Sequence, residues 1–107
     1  SFNEFVRKGV KEVNLTYASQ IALYQAYMNL TENPALFTVV NKNNCEIYYE
    51  LVPFDKVLAQ KTSDKAVEIL TAVKHNEILP RVAANSDYFL CKRCEFRSSC
   101  WKKPEQV

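Results

Sequence analysis

Ala35-Leu36-Phe37-Thr38-Val39-Val40-Asn41-Lys42-Asn43-Asn44-Cys45-Glu46-Ile47-Tyr48-Tyr49-Glu50-Leu51-Val52 is the stretch on which the fold turns. Both ends are rich in β-branched and aromatic residues, and asparagines crowd the middle. Asparagine tolerates the positive φ that hairpin turns demand, so the pattern predicts a β-hairpin with strands at 35–42 and 45–52. Pro53 closes the second strand, and Asp55 is placed to cap a helix directly after it.

On the N-terminal side of the hairpin, the residues read as helical from Thr16. Tyr17, Ile21, Tyr24 and Met28 recur at steps of four, three and four, with Gln20 and Tyr27 beside that stripe. Thr16 is a candidate N-cap, and Asn33-Pro34 ends the run, because the residue before a proline is pushed away from helical dihedrals. The first helix is therefore expected at about 16–31, behind a lead-in of weak periodicity over 1–15. After the hairpin, a second helix over about 55–77 takes Val57, Leu58, Ala66, Ile69, Leu70 and Val73 inward, with Lys56, Lys61, Lys65 and Lys74 outward. It stops before Pro80. The class expected is α+β: helix, hairpin and long helix as a body over 1–86, then a cysteine-rich tail over 87–107.

Two strands rarely make a stable sheet alone, and an uncovered edge invites further pairing. The expectation is that the missing strands come from a segment upstream of Ser1 or from a partner chain. The lead-in begins in mid-pattern and without an initiator methionine, which favours a chain that is processed, trimmed or part of something longer.

Composition narrows the function. The chain has 107 residues, 48% hydrophobic and 24% charged, which suits one globular domain and excludes a disordered tail. No apolar run approaches the roughly 18–20 residues of a membrane span, and Ser1-Phe2-Asn3-Glu4-Phe5 lacks the basic start and apolar core of a secretory signal. The compartment expected is the cytoplasm of a bacterial or phage-infected host cell. Gly9 is the single glycine, so there is no phosphate-cradling loop, dinucleotide fingerprint or nucleophile elbow. A hydrolytic triad would rest entirely on His75, the single histidine. The net charge is +2; residues 1–86 carry nine basic and nine acidic side chains, while 87–107 carry five basic against three acidic. The basic excess (Lys92, Arg93, Arg97, Lys102, Lys103) belongs to the tail.

Cys91-Lys92-Arg93-Cys94-Glu95-Phe96-Arg97-Ser98-Ser99-Cys100 reads C-x2-C-x5-C. A C-x2-C pair offers two sulfurs to one centre, and thiolates suit zinc or an iron–sulfur cluster. Neighbouring cations favour the thiolate form and offset a cluster's negative charge. Without a secretory signal the compartment is reducing and disulfides are disfavoured; two bridges in a secreted protein, or idle buried thiols, are the alternatives. Cys45 and His75 are both candidates for a fourth ligand. Two glycosylation sequons, at Asn14 and Asn29, matter only in the secreted alternative.

Taken in order, Tyr17-x-x-Gln20-x-x-x-Tyr24 on a helix, a hairpin with Asn41-Lys42 ending its first strand, a second helix, and C-x2-C-x5-C followed by Trp101 resemble one family. From about Phe2 to Trp101 the chain is similar to the C-terminal half of RecB-like PD-(D/E)XK nucleases, especially the phage exonuclease and CRISPR-associated types with an iron–sulfur cluster. The resemblance implies that the hairpin belongs to a larger PD-(D/E)XK sheet. It implies that Gln20 lies beside a metal-dependent active site, helping to position nucleophile or substrate, and that Tyr24 supports that geometry or touches the DNA backbone. It further implies a 4Fe–4S cluster on Cys91, Cys94 and Cys100. As basic side chains suited to phosphates, Lys42, Lys92, Arg93 and Arg97 are the expected DNA contacts.

The chain departs from the family pattern in two places. No Glu-x-Lys or Asp-x-Lys strand precedes Tyr17, and the cysteine that family members supply ahead of the catalytic core is missing. Phosphodiester hydrolysis needs carboxylates to hold magnesium or manganese, which activate water and stabilise the leaving oxygen. Gln20 and Tyr24 replace none of these, so residues 1–107 alone are expected to be inactive. The competing expectation is a non-enzymatic module, stabilised by zinc or a cluster, that binds nucleic acid or protein.

Overall fold

In the computed structural model, which describes residues 1–102, Ala35–Val40 (β1) and Ile47–Val52 (β2) pair antiparallel as a two-stranded sheet. Six helices accompany it among the described residues: α1 (Phe2–Lys8), α2 (Val10–Val13), α3 (Leu15–Tyr27), α4 (Lys56–Lys74), α5 (Phe89–Lys92) and α6 (Arg97–Cys100). The fold is mixed α+β. It divides into two units, Ser1–Leu70 and Thr71–Val107, at a point inside α4, whereas the sequence changes composition near residue 87. Lys103 lies outside the described residues.

The hairpin register sets Leu36 opposite Leu51, Phe37 opposite Glu50, Thr38 opposite Tyr49, Val39 opposite Tyr48 and Val40 opposite Ile47. Each strand is two residues shorter than the sequence pattern predicts, because the turn needs six residues. Asn41 N–H donates to the Glu46 carbonyl at 2.8 Å and Cys45 N–H to the Asn41 carbonyl at 2.7 Å. The asparagines act through their side chains: Asn41 Oδ1 accepts from Asn43 N–H and Asn44 Oδ1 from Glu46 N–H, both at 3.0 Å. The positive φ falls on Cys45 (62°) and not on an asparagine. Alternation then sorts the strands into two faces, with Phe37, Val39, Tyr48 and Glu50 half-buried on one and Leu36, Thr38, Val40, Ile47, Tyr49 and Leu51 exposed on the other.

The lead-in is helical, which corrects the weak-periodicity reading of 1–15. Ser1-x-x-Glu4 is a capping-box pattern at the start of α1, a signal that apolar spacing does not register. Gly9 then breaks the run at φ 84° and ψ 165°, a region open essentially to glycine alone. A Cβ there would approach Glu50 Oε1 to 3.3 Å. The same carboxylate oxygen accepts from Val10 N–H at 3.0 Å and from the Tyr48 hydroxyl at 2.8 Å, tying the α1–α2 corner to β2. Val10 is fully buried beneath it.

Asn14, not Thr16, caps α3, its side chain accepting from Tyr17 N–H at 3.1 Å. The helix ends at Tyr27, four residues early, because Asn29 adopts a left-handed φ of 57° and Leu30 N–H returns to the Gln25 carbonyl at 2.8 Å. The inward stripe is Ala18, Ala22 and Gln25, while Tyr17, Tyr24 and Met28 are exposed. Small residues allow α2 and α3 to approach closely, so the alanine stripe, not the larger tyrosine stripe, takes the interior.

Asp55 caps α4 as the sequence predicts, accepting from Leu58 N–H at 2.9 Å. The helix stops at Lys74, before the predicted 77, since Asn76 is left-handed (φ 56°) and Glu77 N–H bonds the Ala72 carbonyl at 2.8 Å. Its expected inward set is also corrected. Ala59 and Ala72 are buried and Leu58 is half-buried, but Val57, Ala66, Ile69, Leu70 and Val73 are exposed. Among the described residues the buried apolar core is Val10, Ala18, Ala22, Ala59 and Ala72. Four of those five are alanines, so the apolar stripes of this sequence exceed what the chain itself covers. No helix among the described residues is long and apolar enough to cross a membrane.

Candidate functional site

Within the first unit, α3 presents Gln20 and Tyr24 together. They stand four residues apart, so both emerge on one face, and Gln20 Nε2 donates to the Tyr24 hydroxyl at 2.8 Å. Gln20, Tyr17 and Ile21 line one wall of an open cleft of about 540 Å³ whose other wall is Thr38–Val40 with Phe5 and Phe37. Phe37 stacks at a tilt between Phe5 (centroids 5.5 Å apart) and Tyr17 (6.2 Å), which gives the cleft a continuous aromatic lining. The residues lining this cleft carry no carboxylate. What they offer is an oriented amide, a phenol and aromatic faces: groups that bind and position, without a means to hold a divalent ion.

A second depression of about 420 Å³ in the same unit holds the charged residues. Glu50, Gln25 and the Lys11–Asp55 pair (2.8 Å) line it together with Val52, Pro53 and Phe54. Lys11 beside Asp55, reinforced by Leu58 N–H, holds the Asp55 carboxyl below its ordinary range. The Tyr48 hydroxyl, donating to Glu50, is pushed above the usual phenol range, first by that bond and then by burial. Gln25 is 5% exposed; its Nε2 donates to the Asn33 carbonyl at 3.1 Å and its Oε1 has no protein partner among the described residues. Sequence reasoning misses both Gln25 and Glu50. The available signal is a polar residue in register with an alanine stripe in one case, and a lone acid on a strand's apolar-patterned face in the other.

The second unit holds the cysteine tail. Cys91 and Cys94 belong to one turn, with Cys94 N–H donating to the Cys91 carbonyl at 3.1 Å, and Cys100 closes α6 through its N–H to the Phe96 carbonyl at 2.8 Å. All three thiols are free, Cys91 half-buried and the others exposed. Among the described residues no three His, Cys, Asp or Glu side chains gather around a point that holds a metal ion. The tail is fastened instead by Arg81, whose Nε and Nη2 donate to the Cys100 carbonyl at 2.9 and 2.7 Å while its guanidinium lies 4.6 Å from the centre of the Trp101 ring. That arrangement satisfies an orphan carbonyl at the end of α6.

Of the other candidates, Lys42 is exposed on the hairpin turn of the first unit, and Lys92, Arg93 and Lys102 are exposed in the second. Arg97 is half-buried and paired with Asp87 at 3.3 Å. Cys45 is exposed in the first unit, and His75 Nδ1 is engaged with the Thr71 carbonyl at 2.9 Å. No protein-family model matches the chain, and no match is found among curated proteins or solved structures.

Proposed function

We propose that residues 1–107 form the C-terminal portion of a metal-dependent DNA exonuclease of the RecB-like PD-(D/E)XK type. The observation that carries this reading is the Gln20–Tyr24 pair: an exposed amide held by the phenol one turn on, at the mouth of a cleft between α3 and β1. An amide fixed in this way is suited to orienting a phosphate oxygen or an attacking water, and the exposed Tyr24 phenol is a group that can bond a backbone phosphate. Carboxylates from the rest of the active site hold magnesium or manganese in this reading, and those ions activate the water. The sheet lends support, since a two-stranded sheet has two edges to which further strands can add. Lys42, Lys92 and Arg93 are exposed cations free to meet phosphates.

A 4Fe–4S cluster, or zinc, on Cys91, Cys94 and Cys100 is part of the same proposal. As placed, the three thiols do not fit such a centre, so occupation requires the α5 and α6 turns to close on one another. A second reading, a module that binds nucleic acid or protein without catalysis, is favoured by the exposed apolar face of the hairpin. The two separate in one experiment. Residues 1–107 and the longer chain that includes the upstream segment are each mixed with linear duplex DNA and magnesium or manganese. The nuclease reading expects chelator-sensitive digestion from the longer chain and none from residues 1–107. Binding without digestion by both proteins would establish the module.

A further inference from the structure

The outer face of the hairpin extends beyond the Gln20 cleft: Thr38 and Val40 belong to both, while Leu36, Ile47, Tyr49 and Leu51 lie outside the lining of that cleft. Leu36, Val40, Ile47, Tyr49 and Leu51 are 64, 60, 49, 63 and 66% exposed, Thr38 completes the face, and no charged residue interrupts it. Taking a large side chain at about 200 Å², these exposures amount to roughly 600 Å². Typical monomers show a largest apolar patch of about 300–600 Å², so this one stands at the top of that range.

We propose that this face pairs with the same face of a second copy of this chain, about a two-fold axis that runs along the strands between the two sheets. Three properties argue for a second copy as the occupant. The first is area. Two such faces expose on the order of 1,200 Å² between them, so their complete burial clears the roughly 1,000 Å² that a specific interface needs.

The second is self-complementarity. An axis along the strands lays β1 of each copy over β2 of the other. By the hairpin register, Leu36 of each copy then faces Leu51 of the other, Thr38 faces Tyr49, and Val40 faces Ile47. Reciprocity follows from the two-fold axis itself; what this face adds is the match of side-chain sizes row by row. In the central row the large ring lies over the small threonine twice, with a hydroxyl near the phenol, and aliphatic pairs close both ends. Stacked sheets lie about 10 Å apart, a gap that side chains of these sizes fill.

The third is charge. The strand residues on this face include no charged side chain, so the pairing buries no unpaired charge. The pairing leaves the two sheet edges open but covers Thr38 and Val40 in one wall of the Gln20 cleft, so its test reads association and not DNA digestion.

Sedimentation velocity across the micromolar range tests it. Wild-type residues 1–107 should sediment as a dimer that dissociates on dilution. Leu51→Lys and Leu36→Glu should each be monomeric, with unchanged circular dichroism, because each buries unpaired charges at the interface. An equimolar mixture of the two variants should dimerise again, since the introduced ammonium of one faces the introduced carboxylate of the other. A wild-type chain that stays monomeric throughout overturns the proposal. So does a dimer that survives both substitutions, or a mixture of the variants that remains monomeric, because then the face is covered by something else or the copies meet differently.

Discussion

The hairpin corner and the cysteine tail are both held by one charged side chain reaching a backbone group, yet they differ in what surrounds the contact. At the corner, Glu50 accepts from the N–H of fully buried Val10, beside a glycine whose backbone no other residue adopts easily. In the tail, Arg81 donates twice to the Cys100 carbonyl from an exposed position and covers Trp101. A buried donor that loses its partner has no water to replace it, whereas an exposed carbonyl is rescued by solvent. The corner should therefore be brittle and the tail forgiving. That contrast fits their proposed uses: a rigid body that aims Gln20, and a tail able to rearrange around a metal.

The largest effect should come from Glu50→Ala. It orphans the Val10 N–H, a loss of about 1–3 kcal/mol for a buried donor, and also takes the acceptor from the Tyr48 hydroxyl; urea unfolding followed by helical circular dichroism should register the sum. Glu50→Gln should recover part of the loss, because its amide oxygen still accepts. If Glu50→Ala unfolds with the wild-type midpoint, the corner is not the fastening described.

Next is Gly9→Ala. The cost there is of order 1–3 kcal/mol from backbone strain, to which the close approach of Glu50 Oε1 adds. Combining Gly9→Ala with Glu50→Ala should cost less than the sum of the two, since the second substitution removes the carboxylate that the new methyl meets. Strict additivity would show that backbone strain alone is responsible.

In the tail, Arg81→Ala should lose a cation–π contact of about 0.5–1 kcal/mol. Trp101 is the single tryptophan, so its emission should shift to the red while the helical signal of α3 and α4 is unchanged. A wild-type spectrum in that variant would show that Arg81 does not fasten the tail.

The smallest effect concerns pH. Lys11 and the Leu58 N–H lower the Asp55 pKa, so the pair contributes stability above the unfolded-state pKa of Asp55 and loses it as pH falls through the lowered folded value. Lys11 is exposed and Asp55 half-buried, so the contribution lies toward the low end of about 0.2–1 kcal/mol. Lys11→Met should lower stability at neutral pH by that small amount and converge with the wild type in acid, where Asp55 is protonated, so that the acid limb of the stability curve flattens.

The parts of this molecule that are legible in its sequence are those written in local signals. The hairpin is readable because β-branched alternation and a run of asparagines are local, and the Asp55 cap is readable for the same reason. Helix interiors mislead. The tyrosine stripe of α3 and the valine–leucine stripe of α4 have helical spacing, but spacing does not say which face finds a neighbour, and in this chain alanines do. As a single glycine, Gly9 speaks in the sequence only of the motifs it excludes, since its place at the corner depends on Glu50, far along the chain. Gln20 and Tyr24 are legible as a pair sharing a helix face. The Arg81–Cys100–Trp101 fastening is not, because nothing in the spacing of these residues marks a bidentate carbonyl contact.

The exposed side of α3 serves chemistry in this account, while its alanine side serves the fold. In the proposed nuclease, DNA digestion by residues 1–107 joined to the proposed upstream segment and carrying Gln20→Ala, read against the thermal unfolding midpoint, separates those two roles. Chelator-sensitive digestion should fall at least about tenfold, roughly 1.4 kcal/mol in the barrier, with the midpoint unchanged. The midpoint should hold because Gln20 is exposed and its side chain bonds Tyr24 alone among the described residues. Digestion at the wild-type rate in that variant would contradict the account and remove Gln20 from the site.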